Sequence, residues 1–286
     1  MLEAARRGGG SIGAPLAFIG GGNMAGAIIA GATRAEALAG GCVVADPDTA
    51  KLAAFDVGAR TAGDALDWLA RRERTPGEGV VVLAIKPQML DAVGREVAPV
   101  LAAGPERLVI TILVGTPSAR VREAMGGNSR VVRVMPNTPA MVGEGMSAVA
   151  AGAGATREDV ALTRTLFEAC GRVVELPEDR IDAFSTFAGS GPAYLFYLAE
   201  AMERAAVEMG FAVDDARAIV AQTLYGSAML LRRDGRPPAE LRRAVTSPNG
   251  TTQAATTSFD GADVQGALVR GMHAAAARAA ELARGG

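Results

Sequence analysis

The chain has 286 residues, of which 49% are hydrophobic and 21% charged, enough to bury one large core or two ordinary ones. A net charge of −2 carries no nucleic-acid footprint, and no apolar run reaches the roughly 18 residues of a membrane span. All but two of the 29 basic residues are arginine, and this skew removes several mechanisms.

The single histidine, His273, lies in an Ala-rich run near the C-terminus, which argues against a dehydrogenase with a histidine acid–base. Neither lysine, Lys51 or Lys86, follows a tyrosine at Tyr-x-x-x-Lys spacing, so that reductase chemistry is excluded. Cys42 and Cys170 sit in separate apolar segments with no metal-type spacing; they read as reduced thiols of a cytoplasmic protein, and no metal site is expected.

Residues 1–14 hold Arg6-Arg7 and a glycine cluster but no apolar h-region, and read as a flexible tail. An apolar run from Leu16 to Ile19 then enters the turn Gly20-Gly21-Gly22-Asn23-Met24-Ala25, and a small-residue helical run from Ala25 to Ala32 leaves it. Strand, glycine turn and helix in that order let backbone N–H groups at a helix N-terminus receive a pyrophosphate. Gly20 allows the tight turn, Gly22 lets the backbone approach a phosphate, and Ala25 permits close helix–strand packing.

A second strand, Cys42 to Ala45, ends at Asp46, with a short helix from Asp48 to Phe55. Val80 to Ile85 is a β-branched run expected as a buried parallel strand. Leu108 to Val114 and Arg130 to Val134 add two strands, and Gly145 to Ala150 and Arg172 to Leu176 complete the sheet. The alternation of strands and helices implies a doubly wound parallel sheet over residues 15–177.

After Pro177 no strand-like run follows, so residues 178–286 read as an all-α domain. Gly191-Pro192 opens a long helix with Ser190 placed to cap it, and Gly210 closes it. Further helices begin at Asp214 and Asp263. They are too apolar for one small domain, which points to a subunit interface, hence a homodimer or larger assembly through these helices.

Four places carry candidate chemistry. Asp46 can accept hydrogen bonds from ribose hydroxyls and repels a 2′-phosphate, which favours NADH over NADPH; it can equally be a helix cap. Ala84-Ile85-Lys86-Pro87 follows a strand whose carboxyl end faces the ligand side of such sheets, unless Lys86 is simply solvated. Asn137, in Met135-Pro136-Asn137-Thr138-Pro139, offers an amide that can pair with a carboxamide. In Ser247-Pro248-Asn249-Gly250-Thr251-Thr252, hydroxyls and free N–H groups at a helix start can hold a carboxylate, or merely cap the helix.

Taken together, Phe18 to Ala25, Ala84 to Pro87, Arg133 to Pro139, Gly189-Ser190-Gly191-Pro192-Ala193-Tyr194 and Val245 to Thr252 resemble pyrroline-5-carboxylate reductase, in the family's order, from about Pro15 to Leu282. The resemblance implies a Rossmann domain followed by a helical dimerisation domain, with dimers that assemble further. It implies reduction of 1-pyrroline-5-carboxylate to L-proline with NADPH or NADH. On its terms Gly20, Gly22, Asn23 and Met24 hold the pyrophosphate, and Asp46, Ala84, Lys86, Pro87 and Asn137 border the cofactor. Ser247, Gly250, Thr251 and Thr252 bind the substrate, with Thr252 beside the imine nitrogen as the catalytic candidate. Two residues depart from the pattern: Asn249 stands where many members have Gly, and Asp46 where NADPH-using members often have Ser or Asn. The rival readings are a reductase of a related cyclic imine and a non-catalytic dinucleotide sensor. A β-hydroxyacid dehydrogenase needs a lysine in the helical half, and none follows Lys86.

Overall fold

The computed structural model describes residues 10–283. They fall into two compact units, one ending at Ser190 but joined by the chain from Ala276 onward, the other spanning Gly191–Ala275. Of the expected tail, residues 1–9 lie outside the described residues. Ile12 and Ala14 are buried, and the Ile12 N–H donates to the Ala37 carbonyl, so the packed chain begins ahead of Pro15.

The first unit is built on eight strands: β1 (Leu16–Ile19), β2 (Cys42–Ala45), β3 (Gly58–Ala59), β4 (Val80–Leu83), β5 (Arg107–Thr111), β6 (Ser129–Met135), β7 (Gly145–Ala151) and β8 (Gly171–Glu175). Their order across the sheet is β3-β2-β1-β4-β5-β6-β7-β8. The order reverses between β1 and β4, which pair in parallel from Leu16–Val80 to Ile19–Leu83. That is the switch point at which such sheets bind ligands.

One pairing departs from the parallel expectation: β7 runs antiparallel to β6. Both faces of these strands are buried, so their apolar pattern is blind to direction. The helices of this unit are α1 (Asn23–Arg34), α2 (Thr49–Leu52), α3 (Ala62–Ala70), α4 (Leu90–Ala103), α5 (Ser118–Ala124), α6 (Arg157–Glu168) and α7 (Ile181–Phe184).

Strand alternation divides the core in two. Leu16, Phe18, Val44, Val82 and Ile110 face Ile28 of α1 and Leu166 and Phe167 of α6. Ala17, Ile19, Val43, Val81 and Val109 face Leu66 and Leu69 of α3 and Val93 and Val97 of α4. Complete burial of both faces is the reason β1 and β4 are continuous apolar runs rather than alternating ones.

The second unit contains α8 (Gly191–Glu208), α9 (Val213–Asp234), α10 (Pro238–Ala244) and α11 (Thr251–Gly261), and most of α12 (Val264–Ala283). Ser190 does not cap α8. Its backbone is right-handed helical and its N–H donates to Ser185, because the segment Ser185–Gly189 forms a π-turn that runs on from α7. Among the large apolar side chains of α8 and α9, Leu195, Phe196, Tyr197 and Tyr225 are more than half exposed, and only Ala216 and Val220 of α9 are buried. Helical faces this apolar and this bare are rare on a lone chain. No described helix is long and apolar enough to cross a membrane.

Candidate active site

At the switch point the chain must turn sharply between β1 and α1. Gly20 makes this possible: its φ is +104°, and a Cβ there would lie 2.4 Å from the Ala84 carbonyl oxygen. The positive φ is strained for any side chain, and the contact leaves no space for one. Gly20 and Ala84 therefore sit against each other at the carboxyl ends of β1 and β4. The Gly20 N–H donates to the Ala45 carbonyl and the Ala84 N–H to the Ile19 carbonyl, which draws β1, β2 and β4 together below the turn.

Gly22 is the N-cap of α1 in extended conformation, with no side chain capping the helix and nothing within 4 Å of its Cβ position. The first N–H groups of α1, beginning with Asn23 and Met24, are thus uncapped at the partial positive end of the helix dipole. Ala25, fully buried, lets α1 press onto the sheet. A tight glycine cradle beside an open, uncapped helix end fits a pyrophosphate.

Asp46 is only 6% exposed and is turned into this loop. Its Oδ2 accepts the Gly21 N–H at 2.9 Å and its Oδ1 accepts the Asp48 N–H at 2.9 Å. The Lys51 ammonium lies 3.2 and 3.3 Å from the two oxygens. Burial works to raise the Asp46 pKa, yet the hydrogen bonds from Gly21, Asp48 and Lys51 outweigh it and hold the carboxyl below its ordinary value. The side chain expected at the ribose is therefore also the fastener of the glycine turn. The helix after Pro47 is capped by Asp48, whose carboxylate accepts the Ala50 N–H, and not by Asp46.

Lys86 is exposed at the carboxyl side of β4; its carbonyl accepts the Met89 N–H, and its ammonium has no hydrogen-bond or ion-pair partner among the described residues. Pro87 follows it at the first position of a 3-10 turn.

Asn137 differs from the sequence expectation. Its Nδ2 donates to the Ala188 carbonyl at 2.9 Å and its Oδ1 accepts the Met146 N–H at 2.8 Å. Pro192, four residues beyond Ala188, has no N–H to offer that carbonyl. The Asn137 amide thus ties the turn after β6 to β7 and to the π-turn, and at 9% exposure little of it faces solvent. Arg133, buried on β6, fixes the same region through an ion pair to Asp182 of α7. The π-turn lies outside what hydrophobic periodicity reveals; Pro192 was its only sequence signal.

In the helical unit, Gly250 is the N-cap of α11, with no side-chain cap. A Cβ on Gly250 would lie 2.4 Å from Ser247 Oγ, a hydroxyl that a rotamer change can move aside, and 3.2 Å from the Ser247 carbonyl oxygen. Asn249 takes a left-handed φ of +59°, a conformation that Asn tolerates better than most residues, and the departure from Gly leaves the turn intact. Ser247 and Thr251 are exposed and Thr252 is half-buried. The N–H groups opening α11 are left for a ligand or water, as are the Thr251 and Thr252 hydroxyls among the described residues.

Elsewhere the titratable candidates are inert. Burial pushes the Cys42 and Cys170 thiols up to about 11. Among the described residues no group of three acidic, histidine or cysteine side chains could hold a metal.

Comparison with known proteins bears on both halves. Residues 178–282 match the model for pyrroline-5-carboxylate reductase dimerisation, and residues 15–115 match the model described as NADP oxidoreductase, coenzyme F420-dependent. The pyrroline-5-carboxylate reductase of Pseudomonas aeruginosa is 38% identical over 275 residues, covering 94% of this chain and 96% of its own length. The chain belongs to the pyrroline-5-carboxylate reductase family. Pyrroline-5-carboxylate reductase 3 of Rattus norvegicus is 36% identical, with 93% of this chain and 95% of that protein covered. The solved pyrroline-5-carboxylate reductase of Coxiella burnetii superposes with a TM-score of 0.80 at 29% identity, over 93% of this chain and 97% of its own. As in that family, a Rossmann-type domain precedes a helical dimerisation domain.

Proposed function

We propose that the chain is a pyrroline-5-carboxylate reductase, reducing 1-pyrroline-5-carboxylate to L-proline with NAD(P)H, the last step of proline biosynthesis. The observation that carries this is the 38% identity to a curated reductase across 94% of the chain. The nicotinamide dinucleotide supplies the hydride. The protein's own part is mainly positional: the N-terminus of α1 takes the pyrophosphate, and Ala84, Lys86 and Pro87 border the cofactor at the switch point. Asn137 supports that border from behind. The ionised Asp46 at the end of β2 favours NADH.

A cyclic imine enters readily as the iminium, so no strong protein acid is needed, in keeping with a chain whose one histidine lies far along α12. The uncapped N–H groups of α11, with Ser247, Gly250 and Thr251, hold the substrate carboxylate. Thr252 hydrogen-bonds the ring nitrogen; its half-buried place at the start of α11, with no side-chain partner for its hydroxyl among the described residues, supports that role. The protein works as a homo-oligomer, a dimer through the exposed apolar faces of the C-terminal helices. Two free thiols support a reducing compartment, the cytoplasm.

The test is oxidation of L-proline at high pH with NAD and NADP separately, with L-pipecolate as a ring-size control. Activity on none of these overturns the reading. Thr252→Ala lowers kcat by about tenfold or more; wild-type kinetics would remove Thr252 from the mechanism.

A further inference from the structure

A lone carboxylate at the end of β2 selects against a 2′-phosphate, but Asp46 is not alone. The Lys51 ammonium, on α2, lies 3.2 Å from Asp46 Oδ2 and 3.3 Å from Oδ1, and its side chain is 47% exposed. An ammonium group has three N–H donors. The two Asp46 oxygens can occupy at most two of them, and no other side-chain acceptor of the ammonium is found among the described residues. Asp46 is meanwhile committed to the Gly21 and Asp48 N–H groups, so the pair is held in place by backbone.

At the ribose end of the site the protein thus presents a neutral pair with a spare cationic donor, not a bare negative charge. Asp48 is the opposing charge nearby, and its carboxylate is engaged in capping α2 at Ala50. Arg60 also stands close by in the chain, next to Ala59, whose carbonyl accepts the Asp46 N–H, but the cation the structure pairs with Asp46 is this lysine.

We propose that Lys51 is a specificity-determining residue: it offsets Asp46 and donates to the 2′-phosphate, admitting NADPH to a site whose acidic residue alone would select NADH. This rests on the reading that a nicotinamide dinucleotide binds at the Gly20–Met24 turn.

Purified wild type, Lys51→Met and Lys51→Arg are compared in two measurements. The first is the ratio of kcat/KM with NADPH to that with NADH. The second, free of turnover, is calorimetric binding of adenosine 2′,5′-bisphosphate against 5′-AMP. In Lys51→Met the kinetic ratio and the relative affinity for the bisphosphate both fall about tenfold, the effect of one charge-assisted hydrogen bond. Lys51→Arg keeps both within about threefold, since it retains charge and donors. Values unchanged in Lys51→Met overturn the proposal while leaving the cofactor reading intact. A wild type that binds neither nucleotide overturns that reading and this proposal with it.

Discussion

Replacing Asn137 by Ala should unfasten the junction between sheet and π-turn. The amide makes two bonds there, to the Ala188 carbonyl and from the Met146 N–H. Pro192 lacks the N–H that a regular helix would supply to the Ala188 carbonyl. Each stranded buried group costs about 1–3 kcal/mol. With water reaching one of them, the sum is about 2–4 kcal/mol. For a unit of this size roughly 2–4 °C of Tm is lost per kcal/mol, so Tm falls by about 4–16 °C. The assay is thermal unfolding by circular dichroism at fixed protein concentration, since assembly shifts Tm by mass action. Asn137→Asp supplies a second reading. Its carboxylate still accepts from Met146 but faces the Ala188 oxygen with no donor, so it is destabilised at pH 7. Protonation restores an O–H donor, and the gap to wild type narrows as pH falls. An Asn137→Ala protein melting within about 1 °C of wild type would refute the account of this amide as a fastener.

Gly20→Ala and Gly22→Ala separate fold from affinity: the first forces a Cβ to 2.4 Å from the Ala84 carbonyl, the second enters open space. Gly20→Ala should lower Tm or soluble yield sharply. Gly22→Ala should cost only the few degrees of Tm of a poorer N-cap, about 1 kcal/mol, and lose about tenfold or more in dinucleotide affinity; equal loss of Tm in both would sink the distinction. Acid titration tests the capping box of α6. Burial opposes ionisation of Asp159, but its bonds with Arg130 and Thr156 prevail and hold its pKa below normal. With the folded pKa depressed, its contribution is complete above the unfolded value of about 3.9 and is lost as pH falls through the folded one. Asp159→Asn should therefore lose less Tm than wild type as the pH drops below about 4; an unchanged slope would contradict this.

Much of the first unit is legible in the residues themselves. Leu16–Ile19 and Cys42–Ala45 are strands to the residue, because burial on both faces demands an unbroken apolar run. Helix α3 is passed over by the sequence reading, although Thr61 accepts the Asp64 N–H ahead of Ala62, Ala65, Leu66 and Leu69. So is strand β3: two residues, Gly58 and Ala59, are too few to carry a period. Site legibility divides the same way. Gly20 and Gly22 are readable because the strand–turn–helix order that calls for them is local, although the Ala84 carbonyl that crowds Gly20 is not. The bond from Asn137 to Ala188 spans 51 positions, and that from Gly21 to Asp46 spans 25. No local pattern encodes such partners, so the positions of Asp46 and Asn137 could be read but not where their polar atoms point.

The two-sided core has a consequence for how the sheet finds its pairing. In a half-exposed sheet a one-residue slip throws apolar side chains into water and is rejected at once. Here β1 and β4 are apolar at every position, so a slipped strand buries nearly as much hydrocarbon as the native one. What marks the native alignment instead is close backbone approach at glycine. Gly20 meets the Ala84 carbonyl, Gly40 meets Ala14, and Gly171 meets Gly145, each closer than a Cβ allows. A methyl added at any of these glycines would oppose the native alignment itself.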